Sequence, residues 1–257
     1  MINDQKVVAI IQARMSSSRL PGKVLQLIGD KPMLQWVVER TRLAASVDEV
    51  IVATTIDPSD DTLASFCSQQ GFRCFRGSLY DVLDRFYRAA SSVQAQIVVR
   101  ITADCPLLDP KLVDETVALM VHETADFSAN RLPPPWKRTF PIGLDVEVVR
   151  FSALERAWKE AKEPFEREHV MPYLYDVKDR FRVSILDNEQ DYGSLRWTVD
   201  TAEDLEKIRA IVPWLPKDRA FTWLDILEIA RQHPEIEDLS AGIKHKSIYD
   251  VDERAKL

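Results

Sequence analysis

The chain has 257 residues, of which 46% are hydrophobic, and its 34 Lys and Arg against 41 Asp and Glu leave a formal net charge of −7. This is the composition of a globular protein, long enough to bury a core without disulfide or metal cross-links. The acidic total argues against a nucleic-acid partner, and no apolar run approaches the roughly 20 residues that a membrane span requires. Residues 1–6 lead directly into an apolar run without a cleavage site, so we expect a cytoplasmic protein.

Several common active-site motifs are absent from the sequence. No two of the 7 glycines are separated by a single residue, which excludes the G-x-G-x-x-G dinucleotide fingerprint. The P-loop, H-E-x-x-H and G-x-S-x-G motifs are missing as well. Because Cys67, Cys74 and Cys105 contain no C-x-x-C spacing, we expect reduced thiols. Kinase, dehydrogenase, zincin and serine-hydrolase functions therefore lose their usual sequence support.

The first half of the chain alternates apolar runs with helical patterns. Three nearly continuous apolar runs favour parallel strands covered on both faces: residues 7–12, 50–55 and 97–101. Helical patterns follow: one with Pro32 at its first position, one over residues 82–90, and one from Pro110 to about residue 121 behind an Asp109 cap. This alternation predicts an α/β fold with a doubly wound, mostly parallel sheet.

The second half is less regular. Residues 143–149 and 195–199 read as strands, and the proline-rich residues 130–138 read as a loop. Capping patterns predict three helix starts, at Ser152, Thr201 and Thr222. We predict a single domain over residues 1–257, in which residues 130–193 form an insertion for substrate choice or dimer contacts.

A polar loop follows the first predicted strand. Ligands of open α/β sheets bind beyond the carboxyl ends of the strands, which is where residues 12–23 lie. They include Arg14, Arg19, Lys23 and three serines, with almost no apolar residue, and this composition suits a triphosphate. The alternative is a solvated loop whose cations keep the protein soluble. Composition does not separate the two interpretations, whereas position favours a ligand site.

Two aspartates end predicted strands. Asp104 follows the third strand and Asp200 follows the last. Two such carboxylates could share one Mg²⁺ and leave positions open for phosphate oxygens and water, with Arg100 nearby for anionic groups. Asp200 has a good alternative as the cap of the helix that begins at Thr201.

Several segments of the sequence, taken together, resemble a known family. Residues 10–25, IIQARMSSSRLPGKVL, closely resemble the N-terminal signature of the cytidylyltransferases that activate acidic sugars, CMP-Kdo synthetase and acylneuraminate cytidylyltransferase. The resemblance continues in order through GDKPMLQWVVER, EVIVATT, DVLDRFYRAA, ITADCPLLDP and VDTAEDLEKIRA. GLDVEVV and EREHVMPYLY are similar to the spore-coat polysaccharide biosynthesis branch. The resemblance spans residues 7–212 and implies a nucleotide-diphospho-sugar transferase-like fold.

The resemblance also implies a reaction and a set of site residues. CTP and an acidic sugar, Kdo-like or nonulosonic acid-like, would give a CMP-sugar and pyrophosphate with Mg²⁺ as cofactor, for surface polysaccharide biosynthesis by a homodimer. The catalytic roles fall to Arg14, Lys23 and the metal ligands Asp104 and Asp200. The implied nucleotide-binding residues are Gln12, Ala13, Arg14, Ser16, Arg19, Lys23, Asp81, Arg85, Arg100 and Thr102.

The resemblance says less about which residues of this sequence bind the sugar. A sugar carboxylate could meet one of two groups: Arg167 and His169, or Arg131, Lys137 and Arg138. Asp145 and Glu147 could bind sugar hydroxyls, although a solvated face or an ion pair is an equal alternative for all of these residues. Thr198 stands at a position resembling an additional aspartate of the sialic-acid enzymes, which argues against a sialic acid. Tyr173, Leu174 and Tyr175 make a subunit interface plausible.

Three alternative functions stay open. A glycosyltransferase would use a D-x-D motif, which occurs here only at residues 250–252. A nucleotidyltransferase acting on a sugar 1-phosphate would need more cations at the acceptor end. A catalytically inactive nucleotide-binding relative would keep the fold without turnover.

Overall fold

The computed structural model describes residue 2, residues 4–133 and residues 136–243. A seven-stranded sheet has the order β5-β4-β1-β6-β8-β7-β9, and β2 and β3 form a separate two-stranded sheet. The strands are β1 (Val7–Gln12), β2 (Leu27–Ile28), β3 (Lys31–Pro32), β4 (Glu49–Thr55), β5 (Arg73–Gly77), β6 (Ile97–Thr102), β7 (Phe127–Ala129), β8 (Glu147–Arg150) and β9 (Val183–Ile185). The helices are α1 (Met33–Arg42), α2 (Asp61–Gln69), α3 (Val82–Ser92), α4 (Pro110–His122), α5 (Phe151–Glu160), α6 (Pro164–His169), α7 (Pro172–Tyr175), α8 (Ala202–Ile211), α9 (Trp223–Gln232) and α10 (Pro234–Asp238).

The large sheet is mostly parallel, as predicted. Strands β5, β4, β1 and β6 pair in parallel, and so do β7 and β9, whereas β8 runs antiparallel to both of its neighbours. Ile10 of β1 lies opposite Ile51 of β4 and Arg100 of β6. The carboxyl ends of these three strands therefore reach the same edge of the sheet, and this edge carries the polar residues that follow them.

Helices cover both faces of the sheet, which confirms the doubly wound prediction. Val7, Ala9 and Ile11 of β1 pack into one apolar cluster with residues of α1 and α4. Val8 and Ile10 pack into a second cluster with residues of α3 and α5. All five side chains are fully buried, and each buried Val or Ile contributes about 1.5–3 kcal/mol. A strand covered on both faces needs a continuous apolar run, which is the pattern of residues 7–11.

Five helix starts were predicted at named residues, and the structure agrees with three of them and differs in two. Asp109 caps α4, and Thr201 and Thr222 form capping boxes on α8 and α9, all as predicted. The Ser152 prediction is wrong: β8 runs directly into α5, so Ser152 lies inside the first turn and the extended Arg150 precedes it. Pro32 likewise precedes α1, because its backbone is extended and pairs with β2.

Residues 195–199 form no strand of the large sheet, contrary to the prediction. Arg196 forms one isolated parallel bridge with Ile142, and the backbone on either side bonds to loops: Trp197 N donates to the Ile142 carbonyl at 2.7 Å, and Val199 N donates to the Asp104 carbonyl at 2.9 Å. Neighbouring Gly143 explains the geometry. With φ of +104°, it approaches the Trp197 carbonyl so closely that a Cβ there would lie 2.7 Å from that oxygen. The predicted strand 143–149 starts later than expected, at Glu147, so only its second half lies in β8.

The predicted insertion, residues 130–193, is built into the same sheet. It supplies β8 and β9, and its helices α5–α7 pack on one face. Tyr173, Leu174 and Tyr175 lie in α7 and are at most 8% exposed, because they complete the apolar cluster of their own chain. A subunit interface through these residues is therefore wrong. Among the residues that the structure describes, no helix is both long and apolar enough to cross a membrane.

Candidate active site

The loop after β1 follows a fixed path over the carboxyl edge of the sheet. Ala13 N donates to the Ala53 carbonyl at 3.2 Å, and Gly22 N donates to the Met15 carbonyl at 2.8 Å, which closes the loop on itself. Gly22 adopts φ of +70°, a conformation that favours glycine. The Met15 amide donates to the fully buried carboxylate of Asp60 at 2.6 Å. Asp60, which the sequence analysis did not single out, thereby anchors the loop to the segment after β4.

Lys23 ends this loop and joins the two predicted aspartates. Its ammonium Nζ lies 2.8 Å from Asp104 Oδ2, 3.0 Å from Asp200 Oδ1 and 2.7 Å from the Val199 carbonyl oxygen. Three acceptors match the three protons of the ammonium group. Burial alone would lower the pKa of Lys23, but the charges of Asp104 and Asp200 outweigh it and raise the pKa. The structure thus brings together three residues that the sequence predicted to share a site.

Asp200 is surrounded by cations. Besides Lys23, its carboxylate contacts Arg19 Nη2 at 2.9 Å and Arg196 Nη2 at 2.8 Å. Burial alone would raise the pKa of Asp200, but these three positive charges hold it well below its usual range. Arg196 also bonds Asp204, whose carboxylate accepts the backbone amides of Asp200 and Thr201.

These contacts exclude the alternative that Asp200 caps α8, because Thr201 and Asp204 form that cap. Arg196 and Asp204 were not predicted as site residues from the sequence. Their regular spacing is the one sequence feature that could have indicated them, since Arg196, Asp200 and Asp204 follow one another at intervals of four residues. Thr198 adds no carboxylate here; its hydroxyl donates to the Asp104 backbone carbonyl at 3.1 Å.

The donor set at this edge suits a hard divalent cation. Asp104 Oδ2 and Asp200 Oδ1 already converge on one cationic group, the Lys23 ammonium. Among the described residues no cluster of three or more His, Cys, Asp or Glu is arranged for a metal. A metal here would therefore have two protein carboxylates and take its remaining ligands from phosphate and water, an arrangement typical of Mg²⁺.

A pocket opens beside the loop, at the N-terminal end of α3. It is lined by Gln12, Arg14, Leu79, Tyr80, Val82, Arg85 and Glu168. Arg85 is fully buried, and its Nη1 donates to the Ser78 carbonyl at 2.7 Å. Its Nε and Nη2 have no hydrogen-bond partner within the described part of the chain. Burial, with repulsion from Arg14, lowers the pKa of Arg85 to about 10. The pocket is therefore bordered by a buried cation, two of whose nitrogen atoms no described residue satisfies.

The other predicted nucleotide residues lie around this edge with partners of their own. Arg100 pairs with the buried Glu147 and donates to Gln12 Oε1 at 3.2 Å. The Thr102 hydroxyl contacts Cys105 Sγ at 3.3 Å, and Ser16 is half-buried in the loop. Arg100 is thus held within the site by Gln12 and Glu147.

The predicted sugar residues divide into two groups. Asp145 pairs with Arg138 through both carboxylate oxygens and lies 3.5 Å from Arg131 Nε, so Asp145 is engaged in ion pairs, like Glu147. Lys137 is exposed. Arg131 lies largely buried, and although burial alone would lower its pKa, Asp145 and Glu147 raise it.

Arg167 and His169 belong to α6, beside the pocket. Arg167 pairs with Asp81 at 2.5 Å, which ties the insertion to the N-cap residue of α3, and its Nη1 donates to the Trp158 carbonyl at 2.7 Å. Arg167, which was predicted to bind the sugar, thus forms an ion pair with Asp81, which was predicted to bind the nucleotide. His169, half-buried, is the last residue of α6. The D-x-D at residues 250–252 lies outside the described residues.

Comparisons with known proteins agree with this architecture. A model of the cytidylyltransferase family matches residues 8–239. The chain is 35% identical to the spore coat polysaccharide biosynthesis protein SpsF of Bacillus subtilis, covering 80% of this chain and 85% of SpsF. It is 40% identical to 3-deoxy-manno-octulosonate cytidylyltransferase of Solibacter usitatus, covering 79% of this chain and 93% of the relative.

A solved structure of a cytidylyltransferase from Leptospira borgpetersenii superimposes with a TM-score of 0.86 at 34% identity, covering 94% of this chain and all of the other. The sheet order and the structural neighbours confirm a nucleotide-diphospho-sugar transferase-like fold. The resemblance to the CMP-Kdo synthetases and to the spore-coat branch is likewise confirmed. The chain therefore belongs to the cytidylyltransferase family, a family of nucleotidyltransferases.

Proposed function

We propose that the protein transfers CMP from CTP to an acidic sugar with release of pyrophosphate, as a cytoplasmic homodimer in surface polysaccharide biosynthesis. The observation that carries this proposal is the convergence of Lys23, Asp104 and Asp200 at the sheet edge, under a loop that also holds Arg14 and Arg19. Cations beside two carboxylates suit a triphosphate bound with a divalent metal.

In the proposed reaction the anomeric hydroxyl oxygen of the sugar forms a bond to the α-phosphorus of CTP and gives up its proton to water. The bond between the α-phosphorus and the bridging oxygen breaks, and pyrophosphate leaves with that oxygen. Such transfers depend mainly on positioning and on neutralising charge. Arg14, Arg19 and Lys23 supply three positive charges from one loop, and the anchored path of that loop keeps them over the sheet edge.

Asp104 and Asp200 are the residues that would hold Mg²⁺. When bound, the metal supplies charge neutralisation on the phosphate oxygens. Lys23 now occupies the position between the two carboxylates, so it would turn its ammonium toward the phosphates when the metal binds. Arg19 and Arg196 then continue to compensate Asp200.

An acidic acceptor fits the charge of the neighbouring cluster. Arg100, Arg131 and Arg138 face Asp145 and Glu147, so three cations against two carboxylates leave one net positive charge. Arg131 makes the longest of these contacts, 3.5 Å, and its side chain is 22% exposed. We therefore assign the sugar carboxylate to Arg131 rather than to Arg138 or Arg167, whose guanidinium groups are held by Asp145 and Asp81.

Pyrophosphate release tests the proposal. Purified protein, Mg²⁺ and each nucleoside triphosphate would be incubated with Kdo-like and nonulosonic acids, with neutral sugars and with sugar 1-phosphates. We expect release from CTP with a sugar acid only, and a large rise in KM for the acid in Arg131→Ala but not in Arg231→Ala, an exposed control. Release with neutral sugars or sugar 1-phosphates would contradict the acidic acceptor.

A further inference from the structure

The two carboxylate oxygens of Asp200 have different partners. Oδ1 lies 3.0 Å from Lys23 Nζ and 2.9 Å from Arg19 Nη2, and both cations belong to the loop after β1. Oδ2 accepts a hydrogen bond from Arg196 Nη2 at 2.8 Å. One oxygen of Asp200 thus faces the candidate metal site between Asp104 and Asp200, whereas the other is bonded to Arg196.

A second carboxylate fixes Arg196 in this position. Arg196 Nε and Nη2 each donate to a different oxygen of Asp204 at 2.9 Å, which makes the pair bidentate. Asp204 is fully buried, and it also accepts the backbone amides of Asp200 at 2.8 Å and of Thr201 at 3.0 Å. The Arg196 side chain is only 7% exposed. Moving Arg196 away from Asp200 would therefore break its pair with Asp204 and leave buried charges unpaired.

Lys23 and Arg196 consequently have different roles at Asp200. The proposed function turns the Lys23 ammonium toward the phosphates, and Oδ1 of Asp200 is then available to a metal. Arg196 stays bonded to Oδ2, because Asp204 holds it there. Asp200 therefore offers a metal one oxygen instead of two.

Mg²⁺ and Ca²⁺ differ in how they use a carboxylate. Mg²⁺ is small, requires a near-ideal octahedron and retains several waters, whereas the larger Ca²⁺ takes about six to eight oxygens and accepts both oxygens of one carboxylate. We infer that Arg196 is a positioning residue that determines metal selectivity: by holding Asp200 Oδ2, it limits Asp200 to one metal-binding oxygen and so favours Mg²⁺ over Ca²⁺. The inference rests on the proposed function, in which CTP binds together with a metal at Asp104 and Asp200.

Arg196→Gln is the substitution that separates the two contacts of Arg196. The glutamine amide nitrogen occupies the same position along the side chain as Arg196 Nε, the atom that bonds Asp204. Asp204 therefore keeps a donor, while Asp200 Oδ2 loses the one supplied by Nη2. Arg231→Gln is the matched control, because it removes the same charge from an exposed side chain of α9.

Calorimetric titration with CTP, without sugar, tests the inference. The dissociation constant of CTP would be measured in saturating Mg²⁺ and in saturating Ca²⁺ for the unaltered protein and both variants. We expect the unaltered protein to bind CTP more tightly with Mg²⁺. The ratio of the two constants should fall about 5-fold or more in Arg196→Gln and stay unchanged in Arg231→Gln, because only the first variant releases Oδ2 for Ca²⁺.

The outcomes separate the inference from the proposed function. Weaker CTP binding by the same factor with both metals would overturn the inference, because a merely structural role of Arg196 leaves the ratio unchanged. An equal fall of the ratio in Arg231→Gln would overturn it as well, since net charge would then be the cause. An unaltered protein that binds CTP equally well with Ca²⁺ would overturn the inference alone, whereas one that does not bind CTP would overturn both.

Arg196→Lys keeps the inference testable if Arg196→Gln does not fold. This variant retains a positive charge between Asp200 and Asp204 but lacks the planar fork that bonds both carboxylates at once. We expect its ratio of the two CTP dissociation constants to fall in the same direction by a smaller factor. A ratio equal to that of the unaltered protein would overturn the inference.

Discussion

Lys23 and Asp200 stand 177 positions apart and meet in an ion pair of 3.0 Å. The contact joins the end of the loop after β1 to the residue that precedes the cap of α8. Because the same ammonium also bonds Asp104, a single side chain connects three separate parts of the chain at the sheet edge. Substitutions at these three residues should therefore distinguish three effects: the loss of charge neutralisation, the loss of metal binding and the loss of protein stability.

Lys23→Ala should lower turnover about 10²–10³-fold, because one charge-assisted contact at the reacting centre is lost. CTP binding should weaken more than sugar binding, since Lys23 belongs to the loop that we assign to the phosphates. Steady-state kinetics with each substrate varied in turn would show this. Lys111→Ala, an exposed lysine on α4, is the matched control. Equal effects on the two substrates would remove Lys23 from the phosphate site.

Asp104→Asn and Asp200→Asn should differ in their effect on stability. The Asp104 side chain is 24% exposed and the Asp200 side chain 12%, and of the two only Asp200 contacts three cations. We expect both variants to lose Mg²⁺-dependent turnover, while Asp200→Asn loses about 1–3 kcal/mol more unfolding free energy, because it weakens charge-assisted hydrogen bonds from three cations, although Lys23 keeps Asp104 and Arg196 keeps Asp204 as partners. Urea denaturation and activity titrated with Mg²⁺ would be compared. Near-normal activity of Asp104→Asn would exclude it as a metal ligand.

Stability should fall in acid through Asp200. Burial favours the neutral form of this carboxyl, but Lys23, Arg19 and Arg196 hold its pKa below the unfolded value of about 3.9. Its contribution is present above about pH 4 and is lost as the pH falls toward its folded pKa, because the unfolded chain then binds the proton more readily. The unfolding free energy should decline below about pH 4 less steeply in Asp200→Asn. Parallel curves for the two proteins would contradict this assignment.

Asp60→Asn should loosen the loop after β1 without touching a substrate. The buried carboxylate bonds the Met15 amide and the Thr55 hydroxyl, and an amide oxygen accepts both more weakly. We expect KM for CTP to rise about 10-fold, the equivalent of one hydrogen bond to a charged group, with KM for the sugar unchanged. A melting curve would report the accompanying loss of stability. If the KM for CTP stays the same while stability falls, Asp60 supports the fold alone.

Much of the fold was predictable because parallel strands covered on both faces need continuous apolar runs, as in β1, β4 and β6. The meeting of Lys23 with Asp104 followed from a rule of open α/β sheets, that the carboxyl ends of parallel strands share one edge. Asp200 reaches that edge differently, because the residues before it bond to the loop at Asp104 and not to a strand. The prediction that residues 195–199 pair in the sheet was wrong, since an apolar alternation cannot show whether the partner is a strand or a loop. The Ser152 cap was wrong because β8 enters α5 directly.

The partners of the buried charged residues were the part of the site that local sequence patterns could not predict. Asp60 and Asp204 stand near the starts of helices, where acidic residues are common as caps, so nothing in the sequence marks Asp60 as the anchor of a distant loop. Arg131, Arg138 and Arg167 look like surface cations until their partners, Asp145 and Asp81, are placed in space. Tyr173 and its neighbours were misassigned because an apolar run suits a subunit interface and a core equally well.

The most direct test of the central claim is calorimetric titration with CTP, UTP, ATP and GTP, with and without Mg²⁺, in the absence of sugar. The proposed cytidylyltransferase predicts binding of CTP in preference to the other three, tightened by Mg²⁺ and weakened at least 10-fold in Lys23→Ala, the loss of about 1.4 kcal/mol or more. Indifference to all four free nucleotides, combined with binding of a UDP- or GDP-sugar, would contradict the account and favour a glycosyltransferase.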